Sequence, residues 1–335
     1  MNYRQGNKDL KLRVRFLMLF LLGALAVCGQ QTPRDQFELR GRIVPPNGKT
    51  FRDALPVIFI HGSTTPFAAN TLSDVSGKFK FNKLRPGTYT LIVAVPRIGE
   101  MQRTVEVGPS FADPKGAIEV SFVFDRKISA EDLHQVSVRQ LSVPESARRQ
   151  YEKADERLGK LDIEGAIGFL KKAVELAPQF AAAWNHLGTI AYQTGNYTQA
   201  EIYFREALKQ EPDFYPALVN LGGALLSLPK IQDSLPVNLS AVRARPDDPL
   251  AHSQLGQSYF MVGQLENAET HLRQAKALDP AHFSHPQLVL AEIYNRRGDS
   301  QALLAELEEF LRYHPDSPQA PVVKKTLEQL RARGR

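Results

Sequence analysis

The chain has 335 residues, 43% of them hydrophobic and 23% charged, with a formal charge of +6; that length has room for two globular bodies. The stretch from Met1 to Cys28 carries five Lys or Arg against one Asp and so holds +4 of that charge. The nearly balanced remainder offers no electrostatic footprint for nucleic acid, and a single cysteine, Cys28, excludes a disulfide framework.

Residues 1–29 have the parts of an export signal. A basic start (Arg4, Lys8, Lys11, Arg13, Arg15) precedes an apolar run from Phe16 to Val27 that ends in small residues. A run of that length suits a signal-peptide core and falls short of a bilayer span. The expectation is an exported protein of the periplasm or cell envelope. Three fates of the leader stay open: cleavage near Gly29 to Gln31, retention as an anchor, or lipidation of Cys28, since Leu25-Ala26-Val27-Cys28 resembles a bacterial lipoprotein processing box. Contact with the membrane is expected only through the leader or a lipidated Cys28.

From about residue 36 to 125 the pattern is alternation. Apolar residues recur every second position in Phe37–Val44, Val57–Ile60, Lys78–Phe81, Tyr89–Val95, Arg103–Val107 and Ile118–Phe124. Six or seven short strands with Gly and Pro turns between them predict an antiparallel β-sandwich. Asp74 to Gly77 reads as a tight turn, Phe79 and Phe81 share one face, and Pro86-Gly87 reverses the chain so that Tyr89 re-enters the core. Residues 126–146 form a linker with a short alternating run at Val136, Val138 and Leu141, after which Pro144 opens the first helix.

Pro178, Pro212, Pro246 and Pro280 then follow one another at a constant interval, and Pro315 falls one position later than that interval would place it. A fixed period of this length, that of a helix–turn–helix repeat, predicts a helical solenoid. Its units are 147–178, 181–212, 215–246, 249–280 and 284–315. In the second, Trp184, Leu187 and Ala191 share one face of a first helix, Gly195-Asn196 stops it, and Ala200, Phe204 and Ala207 repeat the spacing on a second helix. The third unit departs from the pattern: Pro229 takes the glycine position and Pro236 falls within the second helix, so that helix is expected to start late, near Ser234. Residues 316–335 are expected to form a capping helix, opened by Ser317-Pro318 and running to about Arg333.

The segment Asp74-x-Ser76-Gly77-x-Phe79-x-Phe81-x2-Leu84-x-Pro86-Gly87-x-Tyr89 resembles the carboxypeptidase regulatory-like domain, a transthyretin-like sandwich found in exported bacterial proteins. The run Trp184-x2-Leu187-Gly188, Gly195-x-Tyr197, Ala200, Phe204, Ala207, Pro212 is similar to the tetratricopeptide repeat nearly in full. Together they imply an all-β sandwich followed by an all-α solenoid of about five helix pairs and a cap. The first resemblance implies a fold and no peptidase activity, because no catalytic peptidase domain accompanies it.

Sites for chemistry are few. His61-Gly62-Ser63 lacks the strand-to-helix elbow of a hydrolase and reads as a loop at a strand end. His282 and His285 stand three apart without further ligands at metal-site spacing, and no phosphate-cradling glycine loop appears. The sequons at Asn196 and Asn238 fall at or inside predicted helices. No enzyme, cofactor or metal is expected.

The repeat resemblance implies instead a concave face lined by the first helix of each unit. Counting outward positions from the motif residues selects Asn185, Thr189, Tyr192 and Gln193, then Ser253, Gln257 and Phe260, then Glu292, Asn295 and Arg296. Amides and hydroxyls beside aromatics suit an extended peptide, whose backbone they can hydrogen-bond. Tyr192 and Phe260 can equally pack between neighbouring helices. The expected role is a non-enzymatic scaffold for a protein or peptide partner, the alternative being carbohydrate attachment through Tyr89 and the phenylalanines of the sandwich.

Overall fold

The computed structural model describes residues 36–44, 50–51, 55–95, 99–123, 142–228 and 230–333. The leader with Cys28, the run from Val136 to Leu141, and Pro229 lie outside the described residues. Among the described residues no helix is long and apolar enough to cross a membrane.

Among the described residues seven strands make the first body: β1 (Phe37–Val44), β2 (Val57–Gly62), β3 (Ala68–Leu72), β4 (Lys78–Leu84), β5 (Gly87–Val95), β6 (Gly99–Val107) and β7 (Ala117–Val123). They form two sheets, ordered β4-β1-β7 and β3-β2-β5-β6. The sandwich is there as expected, with one addition and one difference. Strand β3, Ala-Ala-Asn-Thr-Leu, lacks the alternation that marks the others. Strands β1 and β7 pair in parallel, so the three-stranded sheet is mixed.

Alternation sets the core. Leu39, Ile43, Ile58, Ile60, Leu91 and Phe122 all point between the sheets and are buried. Gly41 takes its place among them because Phe79, its cross-strand neighbour, lies over it: a Cβ on Gly41 would sit 1.9 Å from the Phe79 ring. The turn expected at Asp74 is built around its carboxylate, which accepts from the Ser76 and Lys78 amides at 2.8 and 2.9 Å, while Gly77 takes the left-handed conformation. Tyr89 re-enters the core and donates its hydroxyl to the Arg85 carbonyl at 2.9 Å. Phe37, Phe79, Phe81 and Phe122 are interior too. Tyr89 and these four phenylalanines are therefore structural, whereas Phe59 and Phe111 are exposed at 37% and 41%.

Among the described residues eleven helices make the second body: α1 (Glu145–Gly159), α2 (Ile163–Leu176), α3 (Ala181–Gln193), α4 (Tyr197–Gln210), α5 (Tyr215–Ser227), α6 (Ile231–Ala244), α7 (Pro249–Met261), α8 (Leu265–Leu278), α9 (Pro286–Arg297), α10 (Ser300–Tyr313) and α11 (Ala320–Arg333). Consecutive helices pair, giving five pairs and a cap. Side chains at the helix starts hold the turns: Asp162, Asn196 and Asp299 each accept from the backbone amide three positions on. Small residues let paired helices close up. A Cβ on Gly188 would meet the Phe204 ring at 2.5 Å.

Two helix starts differ from expectation. Helix α6 begins at Ile231 and carries Pro236 in its interior. The missing proline N–H would have bonded the Gln232 carbonyl, and Gln232 and Pro236 lie on the water-facing side, so water can satisfy that carbonyl and the helix does not have to start later. Helix α11 begins at Ala320, since Ser317 is used in a turn: its amide donates to the His314 carbonyl and its own carbonyl accepts from Ala320.

The third unit also differs inside. Leu170, Phe204, Leu272 and Leu307 fill the second helix of the other units, and Asn238 stands at the matching place one repeat after Phe204. It is fully buried and donates to Ser258 Oγ at 2.9 Å, and Ser258 also pairs with Ser234 at 3.1 Å. Asn238 Oδ1 has no hydrogen-bond partner. The apolar core of the solenoid is thus interrupted by a polar patch between α6 and α7.

Candidate partner-binding groove

First helices of successive units touch one another, α3 with α5, α5 with α7, and α7 with α9, and so form the inner wall of the solenoid. The predicted groove residues fall on this wall in linked groups. Asn220 of α5 donates to Asn185 Oδ1 at 3.0 Å and to Thr189 Oγ1 at 3.4 Å. The Ser227 hydroxyl lies 3.2 Å from the Tyr192 hydroxyl. Tyr192 packs edge-on against Tyr197, and burial raises its pKa. It lies between helices and also faces the wall. Further along, Arg296 covers the Phe260 ring with its guanidinium 4.3 Å from the centroid.

Ser253 and Glu292 are corrections to the outward count. Both are buried, at 0% and 3% exposure, and cannot touch a partner. They hold those that can: Ser253 Oγ accepts from Gln257 at 3.4 Å, and the Glu292 carboxylate accepts from Arg296 Nε at 2.9 Å and Asn295 Nδ2 at 3.3 Å. Asn220 and Ser227 belong to the wall and are absent from the outward count. Ser227 lies one repeat after Gln193, so the period carries it to this wall, but the count skips the irregular third unit.

Gln193 has a different role from its neighbours. Its Nε2 donates to the Gly62 carbonyl of β2 at 2.8 Å, because the sandwich is docked on the solenoid. The docked surface is the outer face of the four-stranded sheet, where the register aligns Ala68, His61, Thr90 and Thr104 in one row across β3, β2, β5 and β6. Ala68 joins the apolar cluster of α1, α2 and α3. At the far end of the row the Thr104 amide donates to Asp279 Oδ2 at 3.2 Å. Beyond it, Asp316 accepts from the Ser110 amide at 2.9 Å and hydroxyl at 2.6 Å, and Glu106 accepts from the Asp316 amide at 3.2 Å. The sandwich therefore reaches from the first units to the last. The next row, Asn70, Phe59, Ile92 and Gln102, is left partly open, with Phe59 37% exposed.

The remaining candidates are structural in their surroundings. Ser63 Oγ pairs with Thr90 Oγ1 at 2.9 Å at the end of β2, as a strand-end loop requires. Asn196 caps α4 and Asn238 is buried. His282 is buried with Nδ1 2.6 Å from Ser284 Oγ. Among the described residues no three His, Cys, Asp or Glu side chains converge as metal ligands.

A sandwich docked along a helical-repeat solenoid, at its first helices and at the turns of its last units, defines a scaffold architecture. Residues 151–216, 199–249 and 249–282 match the tetratricopeptide repeat family, which places those repeats in the helical body. The chain is 33% identical over 99 residues to Protein FlbA of Caulobacter vibrioides, covering 29% of this chain and 16% of that protein. It is 27% identical over 130 residues to a Hsp70-Hsp90 organising protein of Plasmodium falciparum, covering 38% of this chain and 51% of that one. It thus spans about half or less of the length of these curated relatives. The solved APC/C hetero-tetramer Cut9-Hcn1 aligns at a TM-score of 0.50 and 19% identity, over 58% of this chain and 38% of that one, and shows a shared fold.

Proposed function

We propose that this protein is an exported, non-enzymatic scaffold that holds a protein or peptide partner against the inner wall of its repeat array in the cell envelope. The carrying observation is the wall itself. Tyr192 and Phe260 occupy the same position two units apart, and amides and hydroxyls at Asn185, Thr189, Asn220, Ser227 and Gln257 lie on the first helices α3, α5 and α7. Such a surface can hydrogen-bond an extended backbone and receive side chains beside its aromatics. The name of the organising protein, a relative over the repeats, supports a role in bringing proteins together. The basic start and short apolar run of residues 1–29 support export. Asn295 and Arg296 extend the wall into the last unit, and a lipidated Cys28 or a retained leader would tether it to a membrane.

Cross-linking in intact cells from a photoreactive residue at Gln257 tests this reading. The expected outcome is one predominant captured protein, lost by about tenfold when Tyr192→Ala and Phe260→Ala are combined. Equal capture by that variant, or none by the parent, would reject the groove.

A further inference from the structure

The chain has eight histidines, and five of them gather at the two ends of the seam between sandwich and solenoid. At the first end His61 of β2 faces His186 of α3. His186 Nδ1 lies 3.5 Å from Asp155 Oδ1 of α1, too far for a hydrogen bond, and neither atom has another partner. Tyr151 of α1 packs on the same imidazole with ring centroids 5.4 Å apart, and Glu152 is the other nearby charge acting on Asp155. At the second end Glu106 of β6 accepts from His314 Nδ1 at 3.2 Å. The His285 ring stands edge-on to His314 with centroids 4.4 Å apart and also meets Phe310 of α10. His282 completes the group, and the Nε2 atoms of His282 and His314 have no partner.

We propose that this seam is an acid-released clasp, in which proton uptake by its histidines parts the sandwich from the solenoid and frees Gln193 of the inner wall. Each end sets one carboxylate beside two or three imidazoles, Asp155 at the first and Glu106, which also accepts from the Asp316 amide, at the second. At the second end the first proton finds Glu106 as counter-charge and the next finds only another imidazolium; at the first end Asp155 takes up its proton before His186, so His61 and His186 would be charged side by side with no carboxylate between them. The other carboxylates at the second end, Asp279 and Asp316, are already engaged by Thr104 and Ser110. Burial holds the pKa values of His186, His282 and His285 down to about 3, with the neighbouring imidazoles adding to it, and burial lowers that of His61.

Groups lowered in this way contribute to docking fully above their ordinary value near 6.5 and progressively less as pH falls below it. Asp155 acts oppositely, since burial raises it to about 7, but it is one group against four. The inference goes beyond the proposed role and does not depend on what the groove holds.

Hydrogen exchange of the full-length protein at pH 7.5 and pH 5.0, corrected for intrinsic rates, tests it. The Thr104 and Ser110 amides report docking and the Leu91 amide reports the sandwich core. Protection at Thr104 and Ser110 is expected to fall by about tenfold or more at pH 5.0 while Leu91 keeps its own. His61→Gln combined with His285→Gln is expected to remove most of that difference. Unchanged protection at Thr104 and Ser110, loss in step with Leu91, or a full pH response in a variant whose Leu91 stays protected would each overturn the clasp.

Discussion

Gln193 Nε2 donates to the Gly62 carbonyl at 2.8 Å, so a side chain of the proposed groove already grips the backbone of its own chain. The same holds at the far end, where Asp279 and Asp316 accept from the main-chain amides of Thr104 and Ser110. The solenoid thus holds main-chain groups of the sandwich at both ends of the seam. A partner entering the proposed groove would have to fit beside that body or displace it.

Asp316→Ala should loosen this attachment. It removes two hydrogen bonds to Ser110 and the carboxylate lying against Gly108. The expected loss is about 1–2 kcal/mol in the docking equilibrium, measured as faster exchange at Ser110 with Leu91 unchanged.

Gly41→Ala should damage the sandwich by overpacking. The added methyl would occupy the space of the Phe79 ring, which is hemmed in by Phe81 and Phe122. A cost of about 1–3 kcal/mol is expected in chemical denaturation. Phe79→Leu in the same chain should recover part of it by clearing the ring.

Asn238→Leu with Ser258→Ala should stabilise the solenoid. The pair of changes removes a buried oxygen without a donor and restores the apolar residue found in every other unit, while Ser234 keeps its bond to the Ile231 carbonyl. Gly222 faces Asn238 much as Gly256 faces Leu272, so there is room for leucine. A gain of about 1–2 kcal/mol in urea unfolding is expected.

Asp155→Asn should stabilise the protein above neutrality. Burial raises the Asp155 carboxyl to about 7, so the folded state favours the protonated form, and the stability it contributes at low pH is lost as pH rises through 7. At pH 8 the variant is expected to exceed the parent by about 1–3 kcal/mol, an advantage that shrinks as pH falls toward 4. Denaturation at both pH values measures it.

What is legible in advance is whatever one element decides by itself. The regular spacing of prolines, the small residues Gly188 and Ala200, and the glycine turns at Gly195 and Gly263 each answer to a helix end or a helix pair. Alternation likewise announces six strands, and β3 escapes because Ala68 to Leu72 has no alternation to show. Ser253 and Glu292 count as outward positions because counting along one helix does not register the neighbouring helix that covers them. Helix α6 starts early because the carbonyl freed by Pro236 faces water, which no local rule states.

Sequence alone determined the two bodies, their order and the pairing of the helices, since hydrophobic period and turn chemistry are local and repeat along the chain. Only the tertiary structure decided that the outer row Ala68, His61, Thr90, Thr104 lies against the solenoid and that histidines from both bodies meet there. That contact joins groups up to 210 positions apart through single hydrogen bonds and a few buried rings. Interactions so sparse and so distant leave no period in the sequence, and they form only when both folded surfaces already exist.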